Sequence, residues 1–148
     1  MTGVFTIIFS FASYAFVVLA MFRLFRINYF NPIVKIFATY LEPVSKSIFF
    51  FLNPLLAALA LSLLLKFVSF YIAYSSGYEP LTLFFISVVD DVNSCFRILF
   101  YCVIGSVILS WVAPGNNHPL LQIVEEMSDA ILQPIRKFVP PMGGLDFT

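Results

Sequence analysis

Charge is scarce in this sequence: 11% of its 148 residues are Asp, Glu, Lys or Arg, against roughly 25% in ordinary soluble domains. With 61% hydrophobic residues there is too little polar surface to coat a globule in water, so lipid is the expected solvent. An excess of either sign is also missing. Eight basic residues balance eight acidic ones, which removes the basic face that nucleic-acid binding requires. There is one histidine, His118, and there are two cysteines, Cys95 and Cys102. One imidazole and two thiols in an apolar stretch make no metal or haem ligand set of usual spacing. They also leave nucleophilic catalysis without its Ser or Cys beside an oriented His. No cofactor and no enzymatic activity are therefore expected. Two helical turns, roughly 10 Å, separate the thiols, which is too far for a disulfide. The N-terminus lacks the basic start and small-residue cleavage site of a signal peptide, so its apolar run is expected to be a retained helix.

What is abundant is aromatic and aliphatic: 19 Phe and 7 Tyr, arranged in long runs. Residues 3–22 form an uncharged stretch of the length that crosses a hydrocarbon core of about 30 Å, closed by Arg23 and Arg26. A second run supports a span over 54–74, with Pro54 in its first turn and Lys66 inside it. Ser75 to Pro80 reads as a turn. Residues 81–92 are predicted as a short interfacial or re-entrant approach helix, because Asp90, Asp91 and Asn93 interrupt the run. The third span is predicted over 94–112, with Arg97 in its first turn and Trp111 in its last, where an indole suits the interface. The fold class is an all-α membrane protein: three transmembrane helices plus in-plane amphipathic helices.

Arg23, Arg26, Lys35 and Lys46 all fall between the first two spans, and Arg136 and Lys137 follow the third. The turn over 75–80 has no Lys or Arg, and Asp90 and Asp91 are expected on its side. Basic residues are retained in the cytoplasm, so the N-terminus is expected outside. The two basic segments also resemble each other. Asn31-Pro32 opens one and His118-Pro119 the other, each placing Pro at the first helical position after a polar cap. An amphipathic helix follows over 32–42, with Ile33, Ile36, Phe37, Tyr40 and Leu41 on one face. Its counterpart over 119–139 has Leu120, Ile123, Val124, Met127, Ile131 and Leu132 on one face and Glu125, Glu126 and Asp129 on the other. Such helices lie in the membrane interface. The chain thus reads as two diverged repeats, 1–80 and 81–148.

Asn31-Pro32-Ile33, Ser110-Trp111-Val112 and above all the stretch from Gln133 to Phe147, with Pro134-Ile135-Arg136-Lys137 leading into Pro140-Pro141-Met142-Gly143-Gly144-Leu145-Asp146, resemble the YggT (YlmG) family of bacterial and plastid membrane proteins. Eleven residues after its opening Pro the first repeat has Glu42-Pro43, where the second has Asp129-Ala130, keeping the acid and losing the ring. Two departures stand out. Ser47-Ile48-Phe49 occupies the position of the first repeat's basic stretch, and the chain stops at Thr148, where the family continues into a fourth span, so that span is expected to be missing by truncation. The resemblance implies a multi-pass protein of the bacterial inner membrane. It also implies links to osmotic or potassium tolerance, envelope and division processes, or maturation of membrane haem proteins, and no common catalytic activity.

Each conspicuous residue has a plain reading beside a functional one. Lys66 either snorkels to the interface or serves as an intramembrane functional charge. Arg97 with Asp90 or Asp91 forms an ion pair at the outer interface or part of a cation-attracting vestibule. Pro134 is expected to kink its helix and turn Arg136 and Lys137 toward lipid phosphates or a docking partner. Gly143 and Gly144 free the backbone for Asp146 to cap a following helix. Arg23, Arg26, Lys35 and Lys46 join Arg136 and Lys137 as candidate lipid or partner contacts. The leading expectation is a non-enzymatic scaffold or assembly factor contacting anionic lipid, another membrane protein or itself; the alternative is an osmotic-stress or ion-transport-related protein.

Overall fold

The computed structural model describes residues 1–138. The order is α1 (Thr2–Leu24), α2 (Pro32–Ile48), α3 (Pro54–Tyr74), α4 (Pro80–Val112) and α5 (Pro119–Phe138), with no strand among the described residues. Four of these helices open on proline, whose fixed φ suits the first turn and whose missing N–H would have been unsatisfied there anyway. The residue before each is polar. Asn31 Oδ1 accepts from the Ile33 N–H at 3.0 Å and His118 Nδ1 from the Leu120 N–H at 3.2 Å, so both caps are used. Beyond α4, Pro114 cannot continue a helix and Gly115 takes a left-handed turn at φ 77°.

Three helices, α1, α3 and α4, are long and apolar enough to cross a membrane, and the protein is an all-helical membrane protein. The expected break between an approach helix over 81–92 and a span from 94 is absent: α4 is one helix of 33 residues, about 50 Å at 1.5 Å per residue. Asp90, Asp91 and Asn93 interrupt the hydropathy and leave the backbone ladder intact. Asp90 and Asp91 find partners across the bundle, and the Ser94 hydroxyl donates back to the Asp90 carbonyl at 2.7 Å.

α1 and α3 run antiparallel in a close seam, Ser10 meeting Ser69 and Ser13 meeting Ser62. Ser13, Phe16, Leu19 and Ala20 of α1 and Ala58, Leu61, Ser62 and Ser69 of α3 are buried there. Small residues let two backbones approach, which is how helices associate where lipid removes the hydrophobic drive between them. α4 lies antiparallel to α3, with Phe67 against Phe84 and Lys66 against Asp90.

At the end of the bundle where α1 finishes, Met21, Phe22, Ile27, Val34, Ile123 and Met127 form a second cluster that docks α2 and α5. α2 does not stop at residue 42 but passes through Pro43 to Ile48. One backbone bond is forfeited at the ring, while the Glu42 side chain pairs with Arg23 and the Glu42 carbonyl accepts from the Ser45 hydroxyl at 3.0 Å. Of the expected α2 stripe, Phe37 and Leu41 pack inward and Ile36 and Tyr40 are exposed, because the inward face centres on Val34. α5 buries Ile123 and Met127 and leaves Glu125 and Asp129 outside. Pro140, Gly143, Gly144 and Asp146, with the end of the predicted 119–139 helix, lie outside the described residues.

Candidate functional site

Two places concentrate polar chemistry: the middle of the spanning bundle and the basic end. Lys66 stands about 18 Å along α3 from Pro54 and about 12 Å from Tyr74, and Asp90 about 15 Å along α4 from Pro80. Both are far from the ends of their helices. Lys66 Nζ is 2.9 Å from Asp90 Oδ2, with the lysine side chain 3% exposed and the aspartate 33%. The ammonium also lies 4.3 Å from the Tyr14 ring centroid, near enough for cation–π attraction, which gains strength where water is excluded. A lysine so enclosed does not snorkel, which removes the plain reading of Lys66.

Asp91, the next residue, turns to the α1–α3 seam. Its Oδ2 is 2.8 Å from Ser62 Oγ and its Oδ1 3.4 Å from Ser13 Oγ, and the residue is 8% exposed. Ser62 Oγ also stands 2.8 Å from the Leu59 carbonyl oxygen, and Ser13 Oγ 2.9 Å from the Ser62 carbonyl oxygen. A crevice of about 330 Å³ between α1, α3 and α4 reaches Asp91, the only acidic side chain among the described residues on its wall, beside Leu59, Val92, Cys95 and Phe96.

Arg97 joins neither carboxylate, contrary to the expected pair. It lies two turns beyond Asp90 on the same helix, roughly 10 Å along the axis, and its side chain is exposed, while Lys66 faces Asp90 directly across the helix interface. Cys95 and Cys102 are free thiols; Cys102 Sγ rests 3.8 Å from Met127 Sδ. Among the described residues no group of three His, Cys, Asp or Glu side chains converges as metal ligands would.

At the basic end, Asn31 Nδ2 donates to the Pro119 carbonyl at 2.8 Å and the Asn28 N–H to Glu126 Oε2 at 2.9 Å, tying the start of α2 to the start of α5. Asn31 and Pro32 thus hold a junction between helices as well as a cap. Arg26, Lys35, Lys46, Arg136 and Lys137 are exposed. Arg23 is turned inward, paired with Glu42 and 5.0 Å from the Tyr29 ring centroid. Arg136 Nη2 meets Asp129 Oδ1 at 3.2 Å. α5 continues through Pro134 to Phe138.

The serines were missed by reading hydropathy. A signal for them exists in Ser62, Lys66 and Ser69 on α3 and Ser87, Asp91 and Ser94 on α4, both at i, i+4, i+7, the spacing of one helical face. All six are buried.

A family model described as CCB3/YggT matches residues 85–148. The uncharacterized protein PA0392 of Pseudomonas aeruginosa is 33% identical over 91% of this chain and 74% of its own length. The uncharacterized protein YggT of Escherichia coli K12 is 35% identical over 34% of this chain and 27% of its own length. A Haemophilus influenzae protein, also described as uncharacterized, is 28% identical over 83% of this chain and 68% of its own. No solved structure matches.

Proposed function

The chain belongs to the CCB3/YggT family, and from that membership we propose that it is a non-enzymatic scaffold or assembly factor of the bacterial inner membrane. In this reading the N-terminus is outside and the basic end faces the cytoplasm. One observation carries it: two amphipathic helices are hydrogen-bonded to each other at one end of the spanning bundle with Lys35, Lys46, Arg136 and Lys137 exposed around them. Apolar faces seated on the bundle fix the two helices as a platform, and the cations around it meet lipid phosphates or the acidic surface of a membrane partner. Each cation near an anionic leaflet contributes about 1 kcal/mol of attraction, so the platform orients and retains, while the bundle anchors.

The test is retention. The full chain, captured by affinity from native membranes, is expected to carry anionic phospholipid or a membrane protein with it. Arg136→Ala with Lys137→Ala should lower that recovery roughly fivefold, about 1 kcal/mol net, because Arg136 is already shared with Asp129. Solubilised protein that purifies alone, with recovery unchanged in the double variant, refutes the scaffold reading.

A further inference from the structure

A count of hydrogens at the Asp91 contacts leads beyond the scaffold reading. A serine hydroxyl carries one hydrogen. Ser62 Oγ nevertheless has two acceptors at 2.8 Å, the Leu59 carbonyl and Asp91 Oδ2, and Ser13 Oγ faces the Ser62 carbonyl at 2.9 Å and Asp91 Oδ1 at 3.4 Å. If Asp91 is a carboxylate, Ser62 satisfies one neighbour and confronts the other, oxygen to oxygen, at hydrogen-bond distance with no hydrogen between them. Both serines are 0% exposed, so bulk water does not relieve the shortage.

One added proton removes it. The Asp91 carboxyl O–H donates to Ser62 Oγ, the Ser62 O–H donates to the Leu59 carbonyl, and the Ser13 O–H donates to the Ser62 carbonyl. Every hydrogen is then used once and every short contact contains one. Charge counting agrees. The charged and titratable groups around Asp91 are Lys66 from α3, Asp90 and Cys95 from α4, and Tyr14 from α1, beneath the Lys66 ammonium. Lys66 is matched by Asp90 at 2.9 Å, so a second carboxylate would leave a net negative charge inside the bundle, where uncompensated charge is strongly disfavoured. With the proton, the cluster is neutral.

We propose that Asp91 is an intramembrane proton-binding site, its carboxyl holding an exchangeable proton that completes the Asp91–Ser62–Leu59 hydrogen-bond chain. Asp90, by contrast, faces Lys66 as its ion-pair partner. The crevice between α1, α3 and α4 reaches Asp91 and is the side from which the proton exchanges.

Infrared spectroscopy of the full chain in an ester-free alkyl maltoside detergent tests this through the carboxylic C=O stretch, which a carboxylate lacks. At neutral pH the wild type is expected to show one such band that shifts in heavy water. The band is lost in Asp91→Asn, kept when the neighbouring ion pair is removed as a whole in Lys66→Met with Asp90→Asn, and moved to higher frequency in Ser62→Ala, which removes the acceptor of the carboxyl hydrogen. Should Asp91→Asn fail to fold, the Ser62→Ala frequency shift decides. Absence of the band in the wild type, its persistence in folded Asp91→Asn, or its indifference to Ser62→Ala overturns the proposal.

Discussion

α1 and α3 each bury 33% of their most apolar window inside the protein, whereas α4, the longest helix, buries 6% of its own. The reason is visible in the side chains at each contact. Between α1 and α3 the seam sets small Ser and Ala side chains beside Phe16, Leu19 and Leu61, all with almost no exposure, so dispersion contacts accumulate along its length. α4 offers bulky, outward residues instead, such as Phe85, Phe96, Phe100 and Trp111. It is joined to the rest by the polar contacts of Asp90 and Asp91, by Cys95, Ile98, Leu99 and Cys102 packed on the Val17–Met127 cluster, by Phe84 against Phe67 and by Gly105, where an added Cβ would stand 3.4 Å from the Val124 side chain. The α1–α3 contact is therefore close and small-sided, whereas α4 adds an ion pair and buried hydrogen bonds to its apolar contacts. In lipid this is an available strategy, since greasy surface alone gives two helices little reason to meet.

The largest expected effect falls on the polar link. Asp90→Asn leaves the Lys66 ammonium enclosed without its counter-ion and should destabilise the solubilised protein by about 3–5 kcal/mol, read from reversible denaturant unfolding. Adding Lys66→Met should restore most of that loss. A single variant as stable as the wild type would mean that α4 is not held by this pair. A smaller effect sharpens the contrast from the packed side. Ala58→Leu forces a larger side chain into the α1–α3 seam and should cost about 1–3 kcal/mol, whereas Phe96→Ala, on the open face of α4, should stay within about 0.5 kcal/mol. Equal costs at the two positions would erase the distinction. The smallest change concerns the basic end: Asn31→Ala removes the α2 cap and the bond to Pro119, lowering stability by about 1 kcal/mol. Faster amide exchange at both the first turn of α2 and the first turn of α5 would show that the two helices are coupled there; acceleration in α2 alone would show that they are not.

Much of this architecture was legible because lipid imposes a simple rule: a run of about 20 apolar residues must become a helix. Pro54 and Pro119 marked helix starts for an equally local reason, the ring's fixed φ. Asp90, Asp91 and Asn93 misled for a physical reason too. A polar residue in an apolar run looks like a boundary while its partners are unknown, and Lys66 and Ser62 lie far away in sequence. Arg97 misled in the opposite sense, since a nearby opposite charge on the same helix was two turns out of reach.

Composition and run length by themselves determined that the chain is helical, that three helices are long and apolar enough to cross a membrane and that basic residues gather around two amphipathic helices, since all of these follow from solvent preference residue by residue. Pairing was decided by the tertiary structure. Which carboxylate neutralises Lys66, which serines surround Asp91 and whether α4 is one helix or two depend on which faces meet across the bundle. Hydropathy along a single strand of sequence carries no record of that meeting.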